Sequence, residues 1–60
     1  MTPRQQQVYD LAIQGKSNKE IGRDLGIVEG TVKIHLSVIF KEQGVSTRYQ
    51  LIARSKQEGV

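Results

Sequence analysis

The sequence contains no cysteine, one proline and one histidine. Without cysteine the chain has neither a disulfide framework nor thiolate ligands for a metal, and one histidine does not make a structural zinc site by itself. No apolar run approaches the length of a membrane-spanning helix. The apolar share of the 60 residues is only 37%, so stability must come from efficiently packed helices or from a partner.

The charged residues show an excess of positive charge. Nine Lys and Arg against six Asp and Glu give a formal net charge of +3, and the pI is near 9.6. This balance favours polyanionic partners such as nucleic acids, although a soluble domain with a modest lysine surplus has the same composition. The first residues lack the apolar segment of a signal peptide, so we expect a cytoplasmic location.

Signals for helix starts and ends recur along the chain. Thr2-Pro3-Arg4-Gln5 and Ser17-Asn18-Lys19-Glu20 both have the hydroxyl residue of a capping box, followed three positions later by its glutamine or glutamate. Gly15, Gly26 and Gly44 stand where left-handed residues end helices. These start and end signals predict helices over about 3–14, 18–25, 29–43 and 48–57, and the last helix is capped by Ser46-Thr47. We therefore predict an all-α, four-helix bundle-like single domain over residues 1–60.

The connection between the second and third predicted helices indicates a helix-turn-helix, because only Gly26-Ile27-Val28 separates them. In this motif the second helix lies in the major groove of DNA. Lys33, Ser37 and Lys41 form a polar row at helical spacing, with Ile34 beside it, and these side chains suit base edges and thymine methyls. The opposite stripe is apolar and consists of Val32, Leu36 and Ile39. A solvated helix face has the same pattern.

Several short motifs follow one another in the order and at the spacing of a known family. They are Thr2-Pro3-Arg4, Ser17-Asn18-Lys19-Glu20-Ile21, Gly26-Ile27, Thr31-Val32-Lys33-Ile34-His35 and Gly44-Val45-Ser46-Thr47-Arg48. Together they resemble the LuxR-type (GerE-like) helix-turn-helix DNA-binding domain, over Thr2 to about Ala53. The resemblance implies the DNA-binding domain of a bacterial transcription regulator, such as a response regulator. It implies no catalytic activity, cofactor, metal or small-molecule ligand.

The resemblance also implies roles for individual residues. Base edges are expected to be faced by Lys33, Ile34 and Ser37. Phosphate contacts are expected at Asn18, Lys19, Thr31 and His35, and, on charge grounds, at Lys41 and Arg48. The fourth helix, with Leu51 and Ile52, is similar to the one through which such domains dimerise, and one of these two residues is expected to be core.

The expected partners are double-stranded DNA, a second copy of the chain on paired half-sites, and RNA polymerase, with no membrane. Two alternatives stay open at this point. One is a domain like region 4 of a sigma factor, which has a similar helical arrangement. The other is a small helical protein-interaction module whose basic face meets an acidic partner. An enzyme is the most remote reading, because the single histidine has no cysteine or second histidine to assist it.

Four positions depart from what a strong helix-turn-helix would contain. Val28 stands where the family commonly has a hydroxyl cap, whose loss costs roughly 1 kcal/mol. Gly30 loosens the first turn of the third helix, and Ser37 is short for direct readout of a base. Gly22 lies inside the second helix, where glycine costs about 1 kcal/mol relative to alanine. A tolerated weakness or the close approach of a neighbouring helix would explain Gly22.

Overall fold

The computed structural model describes residues 1–58, which form helices and short connections. The helices are α1 (Pro3–Ile13), α2 (Asn18–Leu25), α3 (Glu29–Gln43) and α4 (Arg48–Glu58). Residues 1–58 contain no strand, so the predicted all-α class is confirmed. The prediction placed the end of α1 one residue too late and the end of α4 one residue too early. Over the same range, no helix is long and apolar enough to cross a membrane.

Both predicted capping boxes are present. At the start of α1, the Thr2 hydroxyl accepts from the Gln5 backbone N–H at 3.2 Å, and the Gln5 side-chain oxygen accepts from the Thr2 N–H at 3.1 Å. At the start of α2, Ser17 and Glu20 make the same reciprocal pair at 3.1 and 2.9 Å. Each box satisfies two backbone donors that a helix start would otherwise leave unpaired.

The other two helix starts differ from each other. Thr47 caps α4 by accepting from the Gln50 N–H at 3.2 Å, while the Gln50 side chain accepts from Ser46 N–H at 2.6 Å and Thr47 N–H at 3.3 Å. Val28 precedes α3 and makes no side-chain cap. Glu29 lies in the first turn of α3, where its negative charge favours a helix N-terminus through the macrodipole.

The Glu20 carboxylate makes the stability of α2 depend on pH. Its hydrogen bonds from the Ser17 backbone and side chain lower the pKa of Glu20 below its usual value. Because the folded state has the lower pKa, this stabilisation is present above the unfolded-state pKa and is lost as the pH falls through the folded-state pKa. We expect the melting temperature of Glu20→Gln to fall less between neutral and acid pH than that of the wild type. Circular dichroism measures both melting temperatures. If they fall equally with pH in the two proteins, Glu20 does not have this role.

The core is a single cluster to which all four helices contribute. Its fully or nearly fully buried members are Val8, Ala12, Ile21, Val32, Leu36, Ile39 and Leu51. Helix α1 contacts each of the other three helices, and α2 packs against α3. The predicted apolar stripe of α3 is therefore confirmed, and its burial fixes which face of α3 points outward.

Gly22 explains how closely the turn between α2 and α3 packs. A Cβ atom on Gly22 would lie 2.6 Å from the carbonyl oxygen of Ile27, a distance that a side chain cannot occupy without a shift of the turn. The Ile27 N–H donates to the Gly22 carbonyl at 2.9 Å, and this hydrogen bond holds the turn against α2 at Gly22. Of the two explanations for Gly22, close approach is therefore the one observed, and the neighbour is the turn itself.

Candidate nucleic-acid interface

The outward face of α3 presents the residues that the sequence assigned to base contacts. Lys33, Ile34 and Ser37 are all exposed, and Ile34 is 66% exposed despite its apolar side chain. Lys41 lies exposed on the same helix, eight residues after Lys33 and so about 12 Å further along the axis. With one face anchored in the core and the other open, α3 can enter a groove without unfolding.

The structure brings four of the predicted contact residues together around one concavity. An open groove of about 310 Å³ is lined by Asn18, Lys33, Leu36, Ser37, Phe40 and Arg48. Leu36 and Phe40 provide its apolar lining. The amide of Asn18, the ammonium of Lys33, the hydroxyl of Ser37 and the guanidinium of Arg48 are hydrogen-bond donors. A groove lined by donors and positive charge suits the acceptor oxygens of phosphates and of guanine.

The N-terminus of α2 adjoins this groove. Its capping box occupies the Glu20 amide, and the amides of Asn18 and Lys19 come before the first acceptor that the helix itself provides. Both lie in the first turn, where the macrodipole is positive. The side chain of Lys19 is exposed, and that of Asn18 is half-buried. This helix end is therefore able to receive a phosphate beside the groove.

Arg48 lines the groove and also makes hydrogen bonds within the protein. Its Nη1 donates to the Lys16 carbonyl at 2.5 Å, and its Nη2 donates to Asn18 Oδ1. The side chain is half-buried. The phosphate contact predicted for Arg48 on charge grounds stays a prediction; in the structure, one donor on each Nη is taken by an acceptor within the protein.

Two further predicted phosphate contacts lie at the border between core and surface. Thr31 is in the first turn of α3 and His35 is one turn later, and both are half-buried. Their backbone positions flank the exposed row that contains Lys33 and Ile34. Each therefore keeps part of its side chain accessible beside that row.

The two residues predicted for the dimerisation helix have different environments. Leu51 has no exposed surface and belongs to the core, so it has nothing to offer a second protomer; Ile52 is half-buried. The sequence reasoning did not single out Tyr49, which is 86% exposed. Tyr49, Ile52 and Ala53 share one helical face at i, i+3 and i+4 spacing, and this spacing is the signal that would have identified Tyr49.

Within the part of the chain that the structure describes, no cluster of three or more His, Asp or Glu side chains could hold a metal ion. The acidic residue Asp24 is paired with Lys16 at 2.7 Å and does not face the groove as a free charge. The side chains that line the groove offer hydrogen-bond donors, positive charge and apolar contact.

The arrangement of α2, the tight turn and the exposed face of α3 defines a helix-turn-helix DNA-binding domain. Residues 1–55 match the family described as bacterial regulatory proteins, luxR family. The chain belongs to this family, whose members regulate transcription by binding DNA. The match decides between the two DNA-binding families considered from the sequence, in favour of the LuxR type over the region-4 arrangement.

Individual relatives agree with this assignment. The chain is 39% identical over 59 residues to the transcriptional regulatory protein DesR of Bacillus subtilis, covering 98% of this chain and 30% of the relative. It is 35% identical to the nitrate/nitrite response regulator protein NarL of Escherichia coli, covering 100% of this chain and 28% of the relative. The spore germination protein GerE of B. subtilis is 36% identical, with 98% of this chain and 80% of the relative covered. The chain thus spans less than a third of DesR and NarL.

Proposed function

We propose that the chain recognises double-stranded DNA by inserting α3 in the major groove. Lys33, Ile34 and Ser37 face base edges in this arrangement. Phosphates are met by Asn18, Lys19, Thr31, His35 and Lys41. The observation that carries the proposal is the shared groove, because Asn18 from α2 and Lys33 and Ser37 from α3 line it together. Base readout by α3 and backbone contact by the start of α2 require that the two lie side by side, and the shared groove supports this arrangement.

We also propose that the domain acts as a homodimer on paired half-sites through the exposed face of α4. Tyr49 supports this proposal because a large aromatic ring left almost wholly in water is a common feature of association surfaces. By analogy with DesR, named as a transcriptional regulatory protein, and NarL, named as a response regulator, the regulated step is the recruitment or exclusion of RNA polymerase in the cytoplasm. The domain performs this role by binding alone, without catalysis.

The test of DNA binding is a titration of the isotopically labelled chain with a short random-sequence duplex at several salt concentrations. We expect amide shifts to cluster at Asn18, Lys19 and residues 31–41, and the logarithm of the affinity to fall with the logarithm of salt by about 0.9 per phosphate contacted. The control is an acidic peptide with the same net charge as the duplex. Equal binding to that peptide, or shifts confined to other faces, would favour the protein-interaction alternative.

Lys33 provides the sharpest prediction about sequence specificity. Against a duplex selected from a randomised pool, we expect Lys33→Ala to cost about 1–3 kcal/mol of binding free energy and to relax the preference at one base position. The matched control is Lys56→Ala, which removes the same charge from an exposed position in the last turn of α4. If Lys33→Ala weakens binding to all sequences equally, Lys33 contacts phosphate and does not read a base.

A further inference from the structure

We propose that Arg48 is a positioning residue for DNA binding, which orients the side chain of Asn18 towards the DNA backbone. The inference rests on the proposed phosphate contact of Asn18. Arg48 is the first residue of α4, yet its guanidinium donates both to Asn18 Oδ1 and to the Lys16 carbonyl. A single side chain thus joins α4 to the loop and the first turn of α2, across 30 and 32 positions of sequence.

The donor and acceptor chemistry of the two side chains determines which way the Asn18 amide points. A guanidinium has only donors, so the atom of Asn18 that faces it must be the oxygen. The Nδ2 amide group is then directed away from Arg48. Asn18 and Arg48 both line the groove, where a donor meets phosphate oxygens favourably and a carbonyl oxygen does not. Without the guanidinium, the Asn18 side chain could rotate and present its oxygen to the DNA.

The second hydrogen bond of the Arg48 guanidinium, from Nη1 to the Lys16 carbonyl, holds the loop that precedes α2. Lys16 lies between Gly15, whose φ is +88°, and the capping residue Ser17. Its carbonyl receives the Nη1 donor of Arg48, and a bond from a charged donor is stronger than one between neutral groups. The position of the α2 N-terminus relative to α3 is therefore set partly from α4, the helix proposed for dimerisation.

The salt dependence of DNA binding distinguishes positioning from direct phosphate contact. We expect Arg48→Met to weaken binding to the duplex about tenfold, as for the loss of one hydrogen bond to a charged group, with the salt slope unchanged. Lys19→Met is the control for a direct contact, and its slope should decrease in magnitude by about 0.9. Arg48→Lys keeps the charge but cannot form the planar two-pronged fork, so it should weaken binding nearly as much as Arg48→Met.

A double-mutant cycle with Asn18→Ala tests whether Arg48 acts through Asn18. We expect Arg48→Lys to weaken binding less once Asn18 is alanine than in the wild type, the remaining loss coming from the bond to the Lys16 carbonyl. In the free protein, the side-chain amide resonances of Asn18 should shift in Arg48→Lys, although no DNA is present. Circular dichroism establishes that each variant is folded; if Arg48→Met is not, Arg48→Lys carries the test.

Three results would overturn the positioning role. The first is that Arg48→Met reduces the salt slope as much as Lys19→Met does. The second is that Arg48→Lys binds DNA as tightly as the wild type. The third is that the effects of the Arg48 and Asn18 substitutions on binding free energy are additive. Failure of the wild-type chain to bind any duplex would instead overturn the proposed DNA contact of Asn18. The Asn18 amide resonances would still report on the fork in that case, so the two failures are distinguishable.

Discussion

Replacing Leu51 by alanine is expected to lower the free energy of unfolding by about 2–5 kcal/mol. Leu51 is fully buried and is the one fully buried α4 residue among the described residues of the core cluster, so its truncation leaves a cavity between α4 and the other helices. A chain of 60 residues has a total stability of only about 3–9 kcal/mol. The loss is therefore a large part of the total stability, and urea denaturation would measure it.

The neighbouring residue provides the control for this prediction. Ile52 is only half-buried, so Ile52→Ala removes less buried surface and should cost clearly less stability. Its consequence should lie in DNA-dependent association, and Tyr49→Ala should share that defect without a large change in stability. Equal destabilisation by Leu51→Ala and Ile52→Ala would show that the core does not depend on Leu51 as its burial indicates.

The sequence was sufficient for features that are decided within one turn of chain. The boxes at Thr2-Gln5 and Ser17-Glu20 were predicted because both partners are three residues apart, and the structure has them as expected. The stripe Val32, Leu36 and Ile39 was predicted because a helix with one buried face requires that spacing. The exposed row containing Lys33 follows from the same spacing, since it lies on the opposite face.

The sequence was insufficient wherever the partner is distant along the chain. In the run Leu51-Ile52-Ala53, periodicity left open which of the first two residues is core, because contact with the other helices decides it. Arg48 was assigned to phosphate from its charge alone, since nothing near it in sequence discloses that Asn18 and Lys16 are its acceptors. The sequence thus predicted the buried and exposed faces of α3, whereas contacts between residues far apart in the chain needed the structure.

Gly22 is the position where a substitution should most disturb the helix-turn-helix itself. We expect Gly22→Val to lower the free energy of unfolding by about 3 kcal/mol. Valine is a slightly better helix former than glycine, but its Cβ would meet the Ile27 carbonyl at 2.6 Å. The turn would have to move and break the hydrogen bond from the Ile27 N–H to the Gly22 carbonyl. Thermal and urea unfolding of the variant measure the loss.

The same substitution at Gly30 separates this local clash from the general effect of adding a side chain to a helix. A Cβ on Gly30 meets no atom within 4 Å, so Gly30→Val should leave stability unchanged or raise it by a few tenths of a kcal/mol. If Gly22→Val is as stable as Gly30→Val, the turn can move without loss of stability. Close packing then does not explain why residue 22 is glycine. If it is less stable, the turn that orients α3 against α2 depends on the absence of a side chain at Gly22.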